Sequence, residues 1–406
     1  MTGLRRAAAA CAVAAVLAAC GSSSGSPEPA GGAGSADGGP TAPSPGATVA
    51  SEGPPAGLRR VPVTGTGNST TPGRAALVGG EARRVGVGVA PVRLLVVDGE
   101  TPGFVVIGDD GSVAGVDVDV VGAPVVDPAG EPVTAVAAGA GSAEIVGWEL
   151  PDLGDHVPLY DATPTVSSDG AVAVLADGTD RYPHGILGDP LEAATLVIVH
   201  LDGDLTVIEA PAPGVFEDLR PTWADVDGDG TDEVLVTFSG GGAGAQVVAY
   251  ESDGTVSTAT PAISTPNRWR HRIAVAPLGA DGRAVYVEVI TPHIGGDLTL
   301  RVAAPEGLVR TDRAAPYGSH AIFSRELDGG QVFDADGDGE LEIVVPAQDR
   351  RSLVVFDVVD GELAGSSTVD LGGELATGIA IARGGAGALS VAVGITDGTV
   401  LVWDGA

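Results

Sequence analysis

The chain has 406 residues, 54 acids against 21 bases and a formal charge of −33, and every base in it is arginine. A surface this acidic repels phosphate backbones and anionic headgroups, which argues against nucleic acid as a partner and against a folded body held flat on a membrane by charge. Only 4% of residues are aromatic while glycine numbers 63 and proline 29, so aliphatic side chains must fill a core divided by dense turns, as in an all-β chain of short strands.

Arg5 and Arg6 precede an apolar run from Ala7 to Ala19, too short to cross a bilayer, which needs ~20 residues. A basic start followed by such a run reads as a signal peptide. It ends in Leu17-Ala18-Ala19-Cys20-Gly21, which resembles the lipobox of bacterial lipoproteins. The resemblance implies that residues 1–19 are removed, that Cys20 carries the lipid, and that the membrane is a partner through that lipid alone. The only other cysteine, Cys11, lies inside the removed segment, so no disulfide is expected. Residues 20–74 are rich in Gly, Ser, Pro, Ala and Thr. Such a segment buries too little surface to offset its ordering entropy, and is expected to be a flexible tether.

From residue 75 to 406 a β-like run ending in a glycine turn recurs. The turn glycines are Gly111, Gly154, Gly203, Gly254, Gly307, Gly361 and Gly405. Asp-Gly between apolar runs is a hairpin signal, and a period of roughly 50 residues with several strands per unit matches propeller blades. The expected fold is therefore a β-propeller of seven blades. The last turn falls one residue from the C-terminus, so the last blade lacks an outer strand. The alternating segment Arg84-Val85-Gly86-Val87-Gly88-Val89 is the candidate to supply it.

Two segments inside this region are nearly identical. Asp225, Asp227, Asp229, Thr231 and Glu233 occupy positions 1, 3, 5, 7 and 9 of one loop; Asp334, Asp336, Asp338, Glu340 and Glu342 occupy them in the other. Carboxylates at positions 1, 3 and 5 converge when the chain turns tightly, glycine at position 6 permits the turn, and position 7 offers its backbone carbonyl. Six or more oxygens is what Ca²⁺ takes. Position 12 is Val236 or Val345, inside a β-like run, which rules against an EF-hand. The pattern resembles the FG-GAP repeat, integrin α-type and VCBS-like, whose loop joins the first and second strands of a propeller blade. That resemblance implies two structural Ca²⁺ sites. Degenerate copies at 165–170, 277–282 and 382–387 keep the glycine turn but lose the carboxylates.

Six histidines occur without metal-protease spacing, and no Gly-x-Ser-x-Gly elbow, phosphate loop or cysteine nucleophile is present. The FG-GAP analogy puts the acidic loops on one face and gathers unusual side chains on the opposite one: Arg181, Tyr182, His184, Arg220, Arg268, Trp269, Arg270, His271, His293, Tyr317 and His320. These are the candidates for a recognition face near the channel mouth, set against charge compensation and loop packing. The expected function is a non-catalytic cell-envelope lipoprotein that binds a protein or glycan. The alternative is a propeller-based extracellular enzyme, a polysaccharide lyase or glycosidase or a quinone-dependent dehydrogenase, since a fold does not fix a function.

Overall fold

The computed structural model describes residues 60–63, 65–121, 135–139 and 142–405. The expected signal segment, Cys20 and the tether as far as residue 59 lie outside them. No α-helix occurs among the described residues; apart from two single 3₁₀ turns the regular structure is strand.

Four antiparallel meanders are complete. One runs Thr165–Val166, Val172–Thr179, Glu192–Val199, Leu205–Glu209. The next runs Thr222–Ala224, Glu233–Gly240, Gly244–Tyr250, Val256–Ala259. The third is Arg270–Ala276, Val285–Ile290, Asp297–Ala304, Gly307–Ala314. The fourth is Gln331–Asp334, Glu342–Pro346, Ser352–Val359, Glu362–Asp370. Gly203, Gly254 and Gly361, with φ of 88°, 84° and 80°, turn the hairpins between third and fourth strands, because a left-handed backbone at that position suits residues without Cβ.

The last unit has three strands of its own, Ala380–Arg383, Leu389–Ile395 and Thr399–Trp403, and its fourth comes from Arg83–Gly86, which pairs antiparallel with Thr399–Trp403. Of the segment expected to complete the last blade, residues 84–89, only Arg84–Gly86 is strand, and that strand begins at Arg83. Pro91–Val97, Gly103–Gly108 and Val113–Val116 form a three-stranded antiparallel sheet.

Residues 119–149 depart from the repeat. Ser142–Glu149 pairs antiparallel with Ala135–Gly139 but parallel with both Asp119–Val121 and Arg60–Pro62, and Gly154 turns a loop rather than a hairpin. Glu306-Gly307, which also lacks Asp-Gly, does join two paired strands, so the missing dipeptide alone does not account for the departure at 119–149.

The core is a series of seams between neighbouring sheets. Leu175, Ile198 and Phe216 pack with Trp223, Val236 and Tyr250 across one seam. Val287 and Leu300 meet Ile343 and Phe356 across another; Phe333 and Val355 meet Leu389 and Trp403 across a third. The last unit in turn packs on the first sheet, Ala392 and Val400 against Leu94 and Phe104. Sheets stacked side by side in this way make a β-propeller. First strands are interior: Arg270–Ala276 is buried throughout, whereas the fourth strand Glu362–Asp370 alternates toward solvent.

The tether boundary at residue 74 is corrected by the structure. Residues 65–75 run along the first strands of successive units. The N–H of Val166 donates to Gly65 O (2.9 Å), that of Trp223 to Thr66 O (2.7 Å), and that of Val332 to Ser69 O (2.8 Å). Asn68 makes a two-point contact with Val275, donating from Nδ2 (2.8 Å) and accepting at Oδ1 (2.9 Å). Thr70–Arg74 then pairs parallel with Gln331–Asp334, and Arg74 bridges to Ala388 of the last unit. A segment that bonds to the first strands of four successive units lines the axis. Composition conceals this, because hydrogen bonds rather than apolar burial hold the segment.

Candidate functional site

In a meander, loops between first and second strands share one end of the sheet with those between third and fourth strands. Loops between second and third strands share the other end with the connections between units. Both acidic loops lie at the first end.

In the first acidic loop the N–H groups of Gly228 and Asp229 donate to Asp225 Oδ1 (2.7 and 3.0 Å), and that of Gly230 to Oδ2 (3.0 Å). The second loop wraps identically, with Gly337 and Gly339 donating to Asp334 (2.6 and 2.9 Å). This folding brings carboxylates of Asp225, Asp227, Asp229 and Glu233 within 4.8 Å of one another, and likewise Asp334, Asp336 and Glu342. Asp338 is not drawn into the second cluster; it accepts the Glu340 N–H instead (2.9 Å). Thr231 donates to Asp229 through both N–H (3.0 Å) and hydroxyl (2.6 Å).

Glu233 is buried. Its Oε2 accepts the Val226 N–H (2.8 Å) while Oε1 has no partner. Burial, then the charges of Asp227, Glu251 and Asp225, push its carboxyl up to about 8; burial with Asp336, Asp338 and Asp334 takes Glu342 to about 7. A buried, orphaned carboxylate oxygen among converging acids is a donor set that fits a hard cation such as Ca²⁺. The second loop also has a base: Arg74 of the axial segment stands 3.7 Å from Asp334.

The other end carries the expected recognition residues, and the structure divides them. Most of the arginines are engaged internally. Arg181 donates to the carbonyls of Gly214 and Ala210 (2.7 and 2.8 Å), Arg220 pairs with Asp328 (2.6 Å), and Arg270 is buried against Glu288 (3.3 Å), which Arg301 shares (2.7 Å). Arg268 bonds the Asn267 carbonyl (2.8 Å), and Tyr317 packs edge-on to Phe356. Tyr182 accepts the Asn267 N–H (3.3 Å).

The histidines instead come together. Trp269 stacks on His271 with centroids 5.4 Å apart, His320 stands edge-on to both, and His293 Nε2 lies 3.1 Å from His320 Nε2. His184 bonds Glu217 through Nδ1 (2.6 Å). Burial, then Arg272 and Arg220, lower His271 to about 3; burial, then Arg350 and His184, lower His293 to about 4; His320 is lowered by burial and by the other two histidines. All three rings are neutral at physiological pH.

Sequence reasoning missed the strap that crosses this end. Residues 318–330 reach four other units. Phe323 N–H donates to Ile186 O (3.1 Å); Arg325 pairs with Asp161 (2.9 Å) and Asp189 (2.7 Å); Glu326 pairs with Arg93 (3.3 Å); and Asp328 O accepts the Ile379 N–H (2.7 Å) as its carboxylate takes Arg220. The partners lie far apart in sequence and share no motif, so only the common surplus of acids could have hinted at them. Beside the strap lies a groove of about 280 Å³ bordered by Val92, Arg93, Ile322, Phe323, Ser324 and Glu326. Phe323 is 62% exposed and held at φ 66°, a conformation a bulky side chain rarely adopts, and Ile322 and Ile294 are exposed as well.

Residues 225–287 match the FG-GAP-like repeat family, spanning the first acidic loop and the strands after it. The protein is a β-propeller carrying an FG-GAP-like repeat. Among solved structures it is similar to BBS1N in complex with ARL6DN (12% identity, 82% of this chain and 98% of that one, TM-score 0.47). It is also similar to the exotype rhamnogalacturonan lyase YesX (14%, 80% and 64%, TM-score 0.36) and to the aldose sugar dehydrogenase of Streptomyces coelicolor in its PQQ-bound form (12%, 79% and 96%, TM-score 0.35). No curated protein sequence matches the chain.

Proposed function

We propose that this protein is a non-catalytic, calcium-stabilised binding module of the cell envelope, anchored through lipid on Cys20 and presenting the strap end of the propeller to a protein or glycan. The observation that carries the reading is the Phe323 strap. A strained, largely exposed aromatic beside a groove with one ion pair is a costly arrangement for stability alone, and a suitable anchor for a ligand ring or an apolar side chain. The lipobox-like segment supports the anchor, and the two converging carboxylate sets support two structural Ca²⁺ ions. With the axial segment inside and residues 318–330 across the end, a ligand meets a rim rather than a deep channel.

The enzyme reading retains one supporting observation. Burial, opposed by Arg325, holds Asp161 at about 6, and burial, opposed by Arg93, holds Glu326 at about 7, which is the range of general acids. One experiment addresses both. The Cys20→Ser chain, expected in the soluble fraction, is screened on a glycan array and by pull-down, beside Phe323→Ala. The binding reading expects a retained ligand whose affinity falls at least tenfold, about 1.4 kcal/mol, in Phe323→Ala. Cleavage or oxidation of the retained glycan, or no dependence on Phe323, overturns it.

A further inference from the structure

The chain contains six histidines in 406 residues; three of them, His271, His293 and His320, meet at one place, and a fourth, His184, is near enough for its charge to act on His293. They come from four different segments of the fold. His184 lies in the loop after Val172–Thr179, His271 in the first strand Arg270–Ala276, His293 in the loop after Val285–Ile290, and His320 at the root of the strap. Packing alone does not ask for this. Imidazoles are poor core fillers, and a buried His271 Nδ1 is left with no hydrogen-bond partner.

The pair His293 and His320 carries the geometry. Their Nε2 atoms are 3.1 Å apart with ring centroids only 4.5 Å apart and planes at 75°. A head-on hydrogen bond between two imidazoles would hold the centroids farther apart than that, so the two lone-pair directions are bent away from the line joining the nitrogens. Two imidazole nitrogens bound to one ion at ~2.0–2.1 Å stand roughly 3 Å apart. His184 supplies a third element. Glu217, fully buried, holds its Nδ1 at 2.6 Å and leaves Nε2 without a partner among the described residues, which is the carboxylate–histidine arrangement that orients a metal-bound imidazole.

We infer that His293 and His320 form a two-nitrogen chelate for a first-row transition ion, zinc or copper(II), with His184 closing on it as a third ligand and the fourth position open. Nitrogen donors select such ions over Ca²⁺, which takes oxygen, so this site and the acidic loops at the opposite end are loaded by different metals. The third nitrogen moves on binding, because among the described residues only the two acidic clusters hold three ligand atoms within 4.8 Å. The loop between Val172–Thr179 and Glu192–Val199, which carries His184, is the element that shifts.

The test is zinc binding to the full chain carrying Cys20→Ser, in a large excess of Ca²⁺ so that the acidic loops are occupied. The expected result is one equivalent of zinc, with affinity falling about tenfold or more in His293→Ala and in His320→Ala. Glu217→Gln should weaken it less, and His156→Ala and His200→Ala, whose rings lie elsewhere, should leave it unchanged. X-ray absorption on zinc-loaded unmutated chain should show a nitrogen-containing first shell. Absence of zinc binding, affinity untouched by either chelate variant, or an oxygen-only shell overturns the proposal. The spectroscopic arm does not depend on any variant folding.

Discussion

Glu192 and Glu217 are two buried carboxylates on neighbouring elements, each with one oxygen lacking a partner. Burial, then the charge of Glu217, raises the Glu192 carboxyl well above its usual range. The folded chain therefore keeps the Glu192 proton to higher pH than the unfolded chain, in which the carboxyl ionises above ~4.3. Between those two values the folded state binds more protons than the unfolded one. The stability that the neutral carboxyl contributes is present below the unfolded value and lost as pH rises. Glu192→Gln keeps the shape and removes the linkage. Its Tm at pH 7.5 should exceed that of the parent, by roughly 2–4 °C per kcal/mol recovered, with the difference closing toward pH 4. A lower Tm for the variant at pH 7.5 would mean that Glu192 is ionised and paired. Glu217 also holds His184, so this one acid serves both the local charge balance and the histidine cluster.

The two acidic loops show what an element can announce in advance. Aspartates at alternate positions and glycines at the turn specify a local wrap, and local wraps are legible because every partner lies within nine residues. The hairpin glycines Gly203, Gly254 and Gly361 were legible for the same reason. The strap was not: Arg93 and Glu326 lie 233 residues apart, and no spacing rule connects them. The expected face of arginines, histidines and aromatics lies at one end, where its arginines bond to internal acids and carbonyls and its histidines gather. The loops themselves differ in a way the sequence hides. The first gathers four carboxylates, the second three with Arg74 beside them, so the first should hold Ca²⁺ more tightly. Calorimetry should resolve two sites, and Asp227→Ala should remove the tighter one. Saturating either site raises stability by roughly 2.7 kcal/mol at a hundredfold excess over Kd, so chelation should lower Tm while far-UV circular dichroism stays β-rich at room temperature. Four or more sites, or the loss of the weaker site in Asp227→Ala, would contradict this account.

For the whole molecule the axial segment matters most. Gly65 to Arg74 ties together units that, apart from the strap at 318–330, touch mainly their neighbours, so it helps convert a series of pairwise seams into a body with a common spine. Asn68 is its most committed side chain. Asn68→Ala strips the Val275 N–H of its partner and leaves the Val275 carbonyl only the Thr70 hydroxyl (3.3 Å), and should cost about 1–3 kcal/mol. Gly67 has no room for a methyl group, since a Cβ there would stand 2.2 Å from Pro221 O. Asn68→Ala should leave the circular dichroism spectrum unchanged, lower the urea midpoint, and speed proteolysis within residues 60–75. Unchanged stability would mean that the axis is held by the surrounding sheets alone.

This spine also sets a schedule. Residues 65–74 and the completing strand Arg83–Gly86 leave the ribosome before any of their partners exist, and the contacts they eventually make span up to 321 residues. These early-made residues are thus among the last to be satisfied, and the sheets that form in the meantime carry bare interior edges. Contacts of such separation make folding slow. A chain built this way remains threadable until its final strand has been delivered.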